Sequence, residues 1–417
     1  MTEENSPTAE SPALSPFRAT RYADVDLAAV TSPPYDVVEP DRFARLEAAD
    51  PHNVVRLILP RDEEPGDRYR HAAAVWQDWH ADKILAVDDT AALWIYEQTI
   101  GGSALVGVVG TVPVDRQSVL PHEDVMPGPV LDRADLMSAV NANLEPILLV
   151  HDPGSDGSSV THRSATTQLI ERVRNSAPPI IDLRTDDGAH HRLWPLYKPS
   201  QHELVAQDLA TRSVLIADGH HRFAAYQRIR AGRDAGPWER GLAMVVDGRE
   251  HPLALGAIHR TIRGLDVATA SARLGAGLQQ MRLDNLAAAQ HFLAEPAEQS
   301  RLVVSDGDVW LGVASADPEV VPRPDRTRAW RALPTALLHE LLIPQRWQVD
   351  ERHVAYHHDV EGAMRSAGQR CVAVLVPTLT LPTVIELASL GERLPRKSTS
   401  FGPKPRTGLL MWQFDSG

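Results

Sequence analysis

A single cysteine, Cys371, stands in 417 residues, so no disulfide can form within the chain and no Cys-x-x-Cys metal or redox motif exists. It lies in the apolar run 371–376 and reads as a small buried hydrophobe. Long hydrophobic runs are missing too: none approaches the roughly 20 residues that span a bilayer. Residues 1–15 are polar and proline-bearing, without the basic stretch and apolar core of a signal peptide, and read as a disordered tail. The expected location is the cytoplasm. Positive charge is in deficit, 42 Lys and Arg against 55 Asp and Glu, and the net charge of −13 repels nucleic acid and anionic membrane. Neither is expected as a partner, and no helix-turn-helix pattern is recognisable.

Several catalytic signatures are absent. No Gly-x-x-x-x-Gly-Lys-Ser/Thr, no Gly-x-Gly-x-x-Gly opening a helix and no Gly-x-Ser-x-Gly occurs, which removes support for P-loop NTPases, Rossmann dehydrogenases and α/β-hydrolases. His339-Glu340 lacks the second histidine of a zinc-protease helix, and the pairs His190-His191 and His357-His358 lack chelating spacing, so no residue is assigned as a metal ligand.

What is present is an ordinary globular composition, 43% hydrophobic and 23% charged, with strand-like and helix-like segments intermixed. The pattern predicts a mixed α/β fold. Strands are expected at 53–59, 92–98, 105–112, 144–150, 300–305 and 371–376, and helices at 67–82, 132–140, 166–175, 266–281, 285–294 and 335–343. Hairpins are expected around Gly101-Gly102, Asp187-Gly188 and Asp247-Gly248. The expected organisation is a tail (1–15), an N-terminal α/β region (16–150), a central region (151–264) and a C-terminal α/β region (265–417), with a turn-rich seam at 152–159.

The chain is organised around Val214-Leu-Ile-Ala-Asp-Gly-His-His-Arg-Phe-Ala-Ala-Tyr-Gln-Arg228. Val214 to Ala217 form a short β-favouring run, Gly219 permits a sharp strand-to-helix turn, and Phe223, Tyr226 and Ile229 give the following helix an apolar face that Gly232 ends. Asp218 is expected as N-cap. The first turn of such a helix presents unpaired N–H groups and partial positive charge, a natural seat for phosphate, to which His220, His221 and Arg222 add donors. Gly219, His220, His221 and Arg222 are therefore phosphate-binding candidates, with Asp218 and His220 as candidates for proton transfer.

Three further stretches carry candidates. Ser32-Pro-Pro-Tyr-Asp36 forces an extended segment and a turn, and Asp36 reads either as a catalytic carboxylate or as the cap of a helix starting near Pro40. In the proline-framed loop 119–130, His122, Glu123 and Asp124 are held still, which favours Glu123 as general base; Arg133 follows closely and is expected to share a polar cavity with it. Leu394-Pro-Arg-Lys-Ser-Thr-Ser-Phe-Gly-Pro-Lys-Pro-Arg406 is a basic, hydroxyl-rich, proline-pinned loop, an anion receptor through Lys397, Ser398, Thr399 and Lys404. It is expected to fold back onto the central motif.

The strand running into Asp218-Gly-His-His-Arg222 resembles the phosphate-binding motif of the ParB/sulfiredoxin superfamily, whose members include partition proteins, sulfiredoxin and free-serine kinases. Ordered blocks also resemble the bacterial and archaeal domain-of-unknown-function family 1015: Ser32-Pro-Pro-Tyr-Asp-Val37, Asn53-Val-Val-Arg-Leu57, Tyr96-Glu-Gln98, Pro121-His-Glu123, Asp132-Arg133, Ala217-Asp-Gly-His-His-Arg222 and Lys397-Ser-Thr-Ser-Phe-Gly-Pro-Lys404. Val125 and Val130 depart from the Thr and Lys usual there. The resemblance adds His259 and Arg260 as site candidates. It implies a ParB/sulfiredoxin-like core with N- and C-terminal elaborations, and handling of a phosphorylated small molecule with a nucleotide and Mg²⁺. The expected chemistry is phosphotransfer to or from a small hydroxylated metabolite such as serine, with a nucleotide-sensing switch without turnover as the alternative.

Overall fold

The computed structural model describes residues 14–61, 67–114, 119–151, 163–210, 212–295 and 299–414. Its α/β content is mixed, as the sequence pattern predicts. The described residues fall into two compact units: unit 1 draws on 1–121, 125–253 and 403–417, and unit 2 on 122–124 and 254–402. The first residues of the expected tail, 1–13, and the seam at 152–159 lie outside the described residues; Leu14 is buried and Ser15 pairs with Thr111.

Unit 1 is built on an eight-stranded sheet of β1 (Leu93–Ile100), β2 (Ser103–Pro113), β3 (Val119–Leu120), β4 (Ile147–His151), β5 (Ile181–Arg184), β6 (His190–Leu196), β7 (Val214–Asp218) and β8 (Arg240–Asp247). Their order is β3-β7-β4-β8-β2-β1-β6-β5, with β7 parallel to β3, β8 parallel to β4 and the other neighbours antiparallel. The two expected short hairpins, β1-β2 and β5-β6, form; Gly101 and Gly102 turn the first with φ of 57° and 83°.

Helices α1 (Arg68–Ala81), α2 (Pro127–Val140), α3 (Ala165–Ser176), α4 (Pro199–Leu209) and α5 (His220–Ala231) accompany the sheet. One core joins Ile95, Val108, Ile147, Ile216 and Val245 to Phe223 and Tyr226 of α5; a second gathers Leu57, Trp76, Trp79 and Leu136. Burial of a large apolar side chain contributes about 1.5–3 kcal/mol, so the first cluster fixes where β7 and α5 lie.

Unit 2 holds a six-stranded antiparallel sheet of β9 (His259–Arg263), β10 (Gln279–Leu283), β11 (Ser300–Ser305), β12 (Trp310–Ser315), β13 (Val354–His357) and β14 (Cys371–Leu375), in the order β10-β12-β11-β14-β9-β13. Helices α6 (Leu286–Ala294) and α7 (Leu381–Ser389) belong to it. Val303, Ala373 and Leu375 of the sheet pack with Phe292 and Trp310.

Several local expectations are corrected. Residues 53–59 form a helical turn, Val55–Ile58, because the Asn53 carboxamide accepts from Val55 N at 3.0 Å and Val54, Val55, Leu57 and Ile58 are all buried. An apolar run buried on every side carries no period to separate helix from strand. No hairpin forms at Asp247-Gly248: Asp247 Oδ1 accepts from Arg249 N and Glu250 N, making a wider turn, and Ala254–Gly256 pairs with Ser400–Gly402. The helix expected over 266–281 ends at Ala272, since Gly275 and Gly277 take φ of 75° and 86°, and 279–283 becomes β10. The helix expected from Asp132 already starts at Pro127, where a proline is preorganised for a first turn. The expected helix at 335–343 continues as a π-helix, Leu337–Trp347, through Pro344.

Candidate functional site

Strand β7 delivers Asp218 to the sheet edge of a turn at Gly219, and α5 begins at His220. Gly219 has φ 96°, and a Cβ there would lie 2.7 Å from Ile147 Cγ2, so both conformation and space demand glycine. Gly219 is itself the N-cap. Asp218, expected in that role, makes no cap hydrogen bond; it is bound instead by two cations. Arg222, 2% exposed, pairs through NH2 with Asp218 Oδ2 and donates through NH1 to Pro146 O at 2.7 Å. Lys404 Nζ lies 2.6 Å from Asp218 Oδ1 and also contacts Asp36 Oδ2, so one ammonium bridges two carboxylates.

Asp36 sits in the 3-10 turn Tyr35–Val37 and does not cap the helix at Pro40, whose N-cap is Glu39. Loss of surrounding water pushes the Asp36 carboxyl up, but Lys404 and Arg222 outweigh this and hold it below the ordinary aspartate value. Burial pulls Lys404 down, and Asp218 and Asp36 more than reverse it, so its ammonium is held above the ordinary lysine value. Arg222 is likewise raised: burial is opposed by Glu145 and Asp218.

Around these charges lies a buried frame. The Tyr35 ring sits 4.4 Å from the Arg133 guanidinium and 5.9 Å from that of Arg222, and burial pushes its phenol up to about 12. Glu145, 5% exposed, accepts from Tyr35 N at 3.1 Å and Thr407 Oγ1 at 2.9 Å. Arg406 donates to Thr31 Oγ1 and Thr31 O, and its N–H to Tyr96 OH, which meets His191 Nδ1 at 2.8 Å. Burial lowers His191 to about 4, so the ring is neutral near pH 7. On α5, the N–H groups of His220, His221 and Arg222 precede the first full helical bond, from Phe223 N to Gly219 O, and His221 Nε2 accepts from Met126 N at 3.1 Å.

The other candidates form a separate cluster within unit 2. Glu123 Oε1 accepts from Lys397 N at 2.8 Å; burial raises its carboxyl, and the Lys397 N–H, the Lys397 charge and Arg260 only partly offset this. His122 Nε2 meets Thr399 Oγ1 at 2.8 Å. The Ser398 hydroxyl donates to Pro395 O and meets Thr335 Oγ1, so the Ser398 and Thr399 hydroxyls are both engaged within unit 2. Arg260 is fully buried; its NH2 donates to Lys397 O at 2.9 Å and its Nε to His339 Nε2 at 3.1 Å. His259 Nδ1 accepts from Val376 N. Arg133, expected to share a cavity with Glu123, instead pairs with Asp132 and donates to Ile58 O at 2.7 Å.

The basic C-terminal loop is thus divided between the units: Lys404 meets the central motif, while Lys397, Ser398 and Thr399 belong to the Glu123 cluster. Sequence reading missed Glu145, Arg406, Thr407 and His191. Glu145 left a signal, a carboxylate before proline within the apolar run 144–150; the others left none, because only distant partners give them a role. Among the described residues no group of three or more His, Cys, Asp or Glu side chains is arranged to hold a metal ion, and no helix is long and apolar enough to cross a membrane.

Comparison with curated proteins finds no match. Among solved structures, a free serine kinase in complex with AMP aligns with TM-score 0.39 and 14% identity, covering 70% of this chain and 87% of that one. A conserved hypothetical protein from Pyrococcus furiosus aligns with TM-score 0.37 and 17% identity (70% and 90%), and SbnI from Staphylococcus aureus, C-terminally truncated, with 0.37 and 12% (70% and 82%). The blocks that frame the Asp36–Lys404–Asp218 bridge, from Ser32 to the Asp-Gly-His-His-Arg motif, fall inside residues 14–336, which match the family model described as "Protein of unknown function (DUF1015)"; the chain belongs to that family.

Proposed function

We propose that unit 1 binds the phosphate groups of a nucleotide at the start of α5 and transfers a phosphoryl group to or from a small hydroxylated metabolite. One observation carries this reading: Lys404 bridges Asp36 and Asp218 beside a helix N-terminus whose turn only glycine fits. The helix end and Lys404 supply positive potential for phosphate oxygens, and Arg222 fixes Asp218. Asp36, kept ionised by its cations, is the base: it takes the acceptor's hydroxyl proton as that oxygen bonds to phosphorus and the bond from phosphorus to the nucleotide oxygen breaks. Asp218, which Arg222 holds, would offer a hard oxygen donor to Mg²⁺, and the ion would supply charge neutralisation at the phosphate oxygens.

The test is titration calorimetry with ADP, together with 31P NMR of the protein with ATP and L-serine, the acceptor suggested by the Asp-Gly-His-His-Arg resemblance. Asp36→Asn should cut turnover by roughly 10²- to 10⁴-fold and leave ADP affinity nearly unchanged. Lys404→Met should weaken ADP by about 1.5–3 kcal/mol, the loss of a charge-assisted contact. Turnover that survives in Asp36→Asn but disappears in Glu123→Gln moves the base to Glu123. ADP binding with no turnover on any hydroxylated metabolite replaces the enzyme with the nucleotide-sensing switch.

A further inference from the structure

Unit 2 contains a cavity of about 800 Å³ at the end of its sheet where β14 runs out at Val376 and β9 begins at His259. Its size is that of pockets that hold small organic ligands, roughly 300–1,000 Å³. Leu293 of α6, Ala329, Leu333 and Leu379 make the wall largely aliphatic, and the hydroxyls of Thr380 and Thr383, at the start of α7, edge it.

One polar group faces this space from a buried position. His259 is 6% exposed and lines the cavity, and its Nδ1 accepts from Val376 N at 3.3 Å. A neutral imidazole that accepts at Nδ1 carries its proton on Nε2, and among the described residues Nε2 has no hydrogen-bond partner. Burial, assisted by Arg260, lowers the ring to about 4, so it is a neutral donor through the physiological range. That N–H is therefore available to donate to a ligand oxygen in the cavity.

Charge narrows the ligand further. Arg301, the cavity's one guanidinium among the described lining residues, is engaged by the Glu295 carboxylate and by Phe292 O, while Asp359 adds a second carboxylate. Among the described lining residues the one guanidinium is thus matched by a carboxylate and the formal excess is one negative charge, which disfavours phosphate and carboxylate. We propose that this cavity is a binding site for an uncharged, mainly aliphatic small molecule that presents a carbonyl or hydroxyl oxygen to the Nε2–H of His259. Its ligand class is thus opposite in charge preference to that of the cradle on α5.

The test uses the full-length protein with ring-labelled histidine, His259 being assigned by difference, titrated with hexanamide, hexanoate and hexyl phosphate as probes. Hexanamide is expected to shift the His259 ring resonances saturably, with both anionic probes at least tenfold weaker. His259→Phe also strips Val376 N–H of its acceptor and puts folding at risk, so Ala329→Trp carries the test: from an exposed position it places an indole in the cavity. It should weaken hexanamide at least tenfold and leave ADP binding unchanged. A saturable shift by hexyl phosphate as strong as that by hexanamide overturns the proposal. So does hexanamide affinity undiminished by Ala329→Trp, or the lack of any saturable shift at His259.

Discussion

Both units bury an arginine almost completely, and the two are treated in opposite ways. Arg222 in unit 1 meets the carboxylate of Asp218 and the field of Glu145, which raise it above the ordinary arginine value against the pull of burial. Arg260 in unit 2 meets only neutral acceptors, Ile258 O, Arg396 O, Lys397 O and His339 Nε2, and burial lowers it to about 10. A buried cation with carbonyl partners is a clamp: it fixes the 396–397 backbone, and the Glu123 carboxylate acts on it through space without an ion pair. A buried cation with carboxylate partners forms a poised charge network, in which an added phosphate can exchange partners with an ammonium. This difference is why we propose the phosphoryl chemistry at Asp36, Asp218 and Lys404, although Arg260 is as deeply set as Arg222.

Truncation tests the contrast most strongly. Arg222→Met leaves Asp218 and Glu145 short of a buried counter-charge and should lower stability by about 3–5 kcal/mol. Arg260→Met leaves only neutral acceptors unpaired while removing a buried charge, and should cost about 1–3 kcal/mol. Urea unfolding followed separately in each unit by hydrogen exchange reads both; a larger loss in Arg260→Met would break the comparison.

Acid sharpens it by a smaller amount. His191 in unit 1 and His259 in unit 2 are lowered from 6.5 to about 4, and His339 in unit 2 to about 3. A depressed folded pKa means that the unfolded chain takes the proton first. The stability is therefore complete above about 6.5 and is lost as pH falls toward 4, at about 1.4 kcal/mol per pH unit for each histidine. Each unit has further lowered rings, His80 and His251 in unit 1 and His357 in unit 2, but unit 2 holds two lowered to about 4 or below against one in unit 1, and it should lose exchange protection faster between pH 6.5 and 5. The raised Glu123 works the other way, favouring the folded state as it takes up its proton, and Glu123→Gln should steepen the acid loss of unit 2. Equal loss of protection in the two units, at pH 5 against pH 7, would remove the distinction.

What the sequence determined by itself is what short-range chemistry determines. The apolar run 214–217, a glycine at the turn and the helical spacing of Phe223, Tyr226 and Ile229 were enough for β7 and α5, because each choice is enforced within a few residues. The same holds for the hairpins at Gly101-Gly102 and Asp187-Gly188. Asn53–Leu59 was not legible, because a run buried on nearly every side has no local period that reports its state; the partner of Ala254–Gly256 was not legible either, since that strand lies some 145 positions away. The charge network was legible only in part. Asp36, Asp218 and Lys404 stood out as residues, but Lys404 meets Asp36 across 368 positions, and no spacing rule reaches that far. Arg222, one turn into the helix, is a local partner for Asp218, but tertiary structure alone decided that a second cation, Lys404, reaches the same carboxylate from the far end of the chain, because a buried carboxylate goes where positive charge lies.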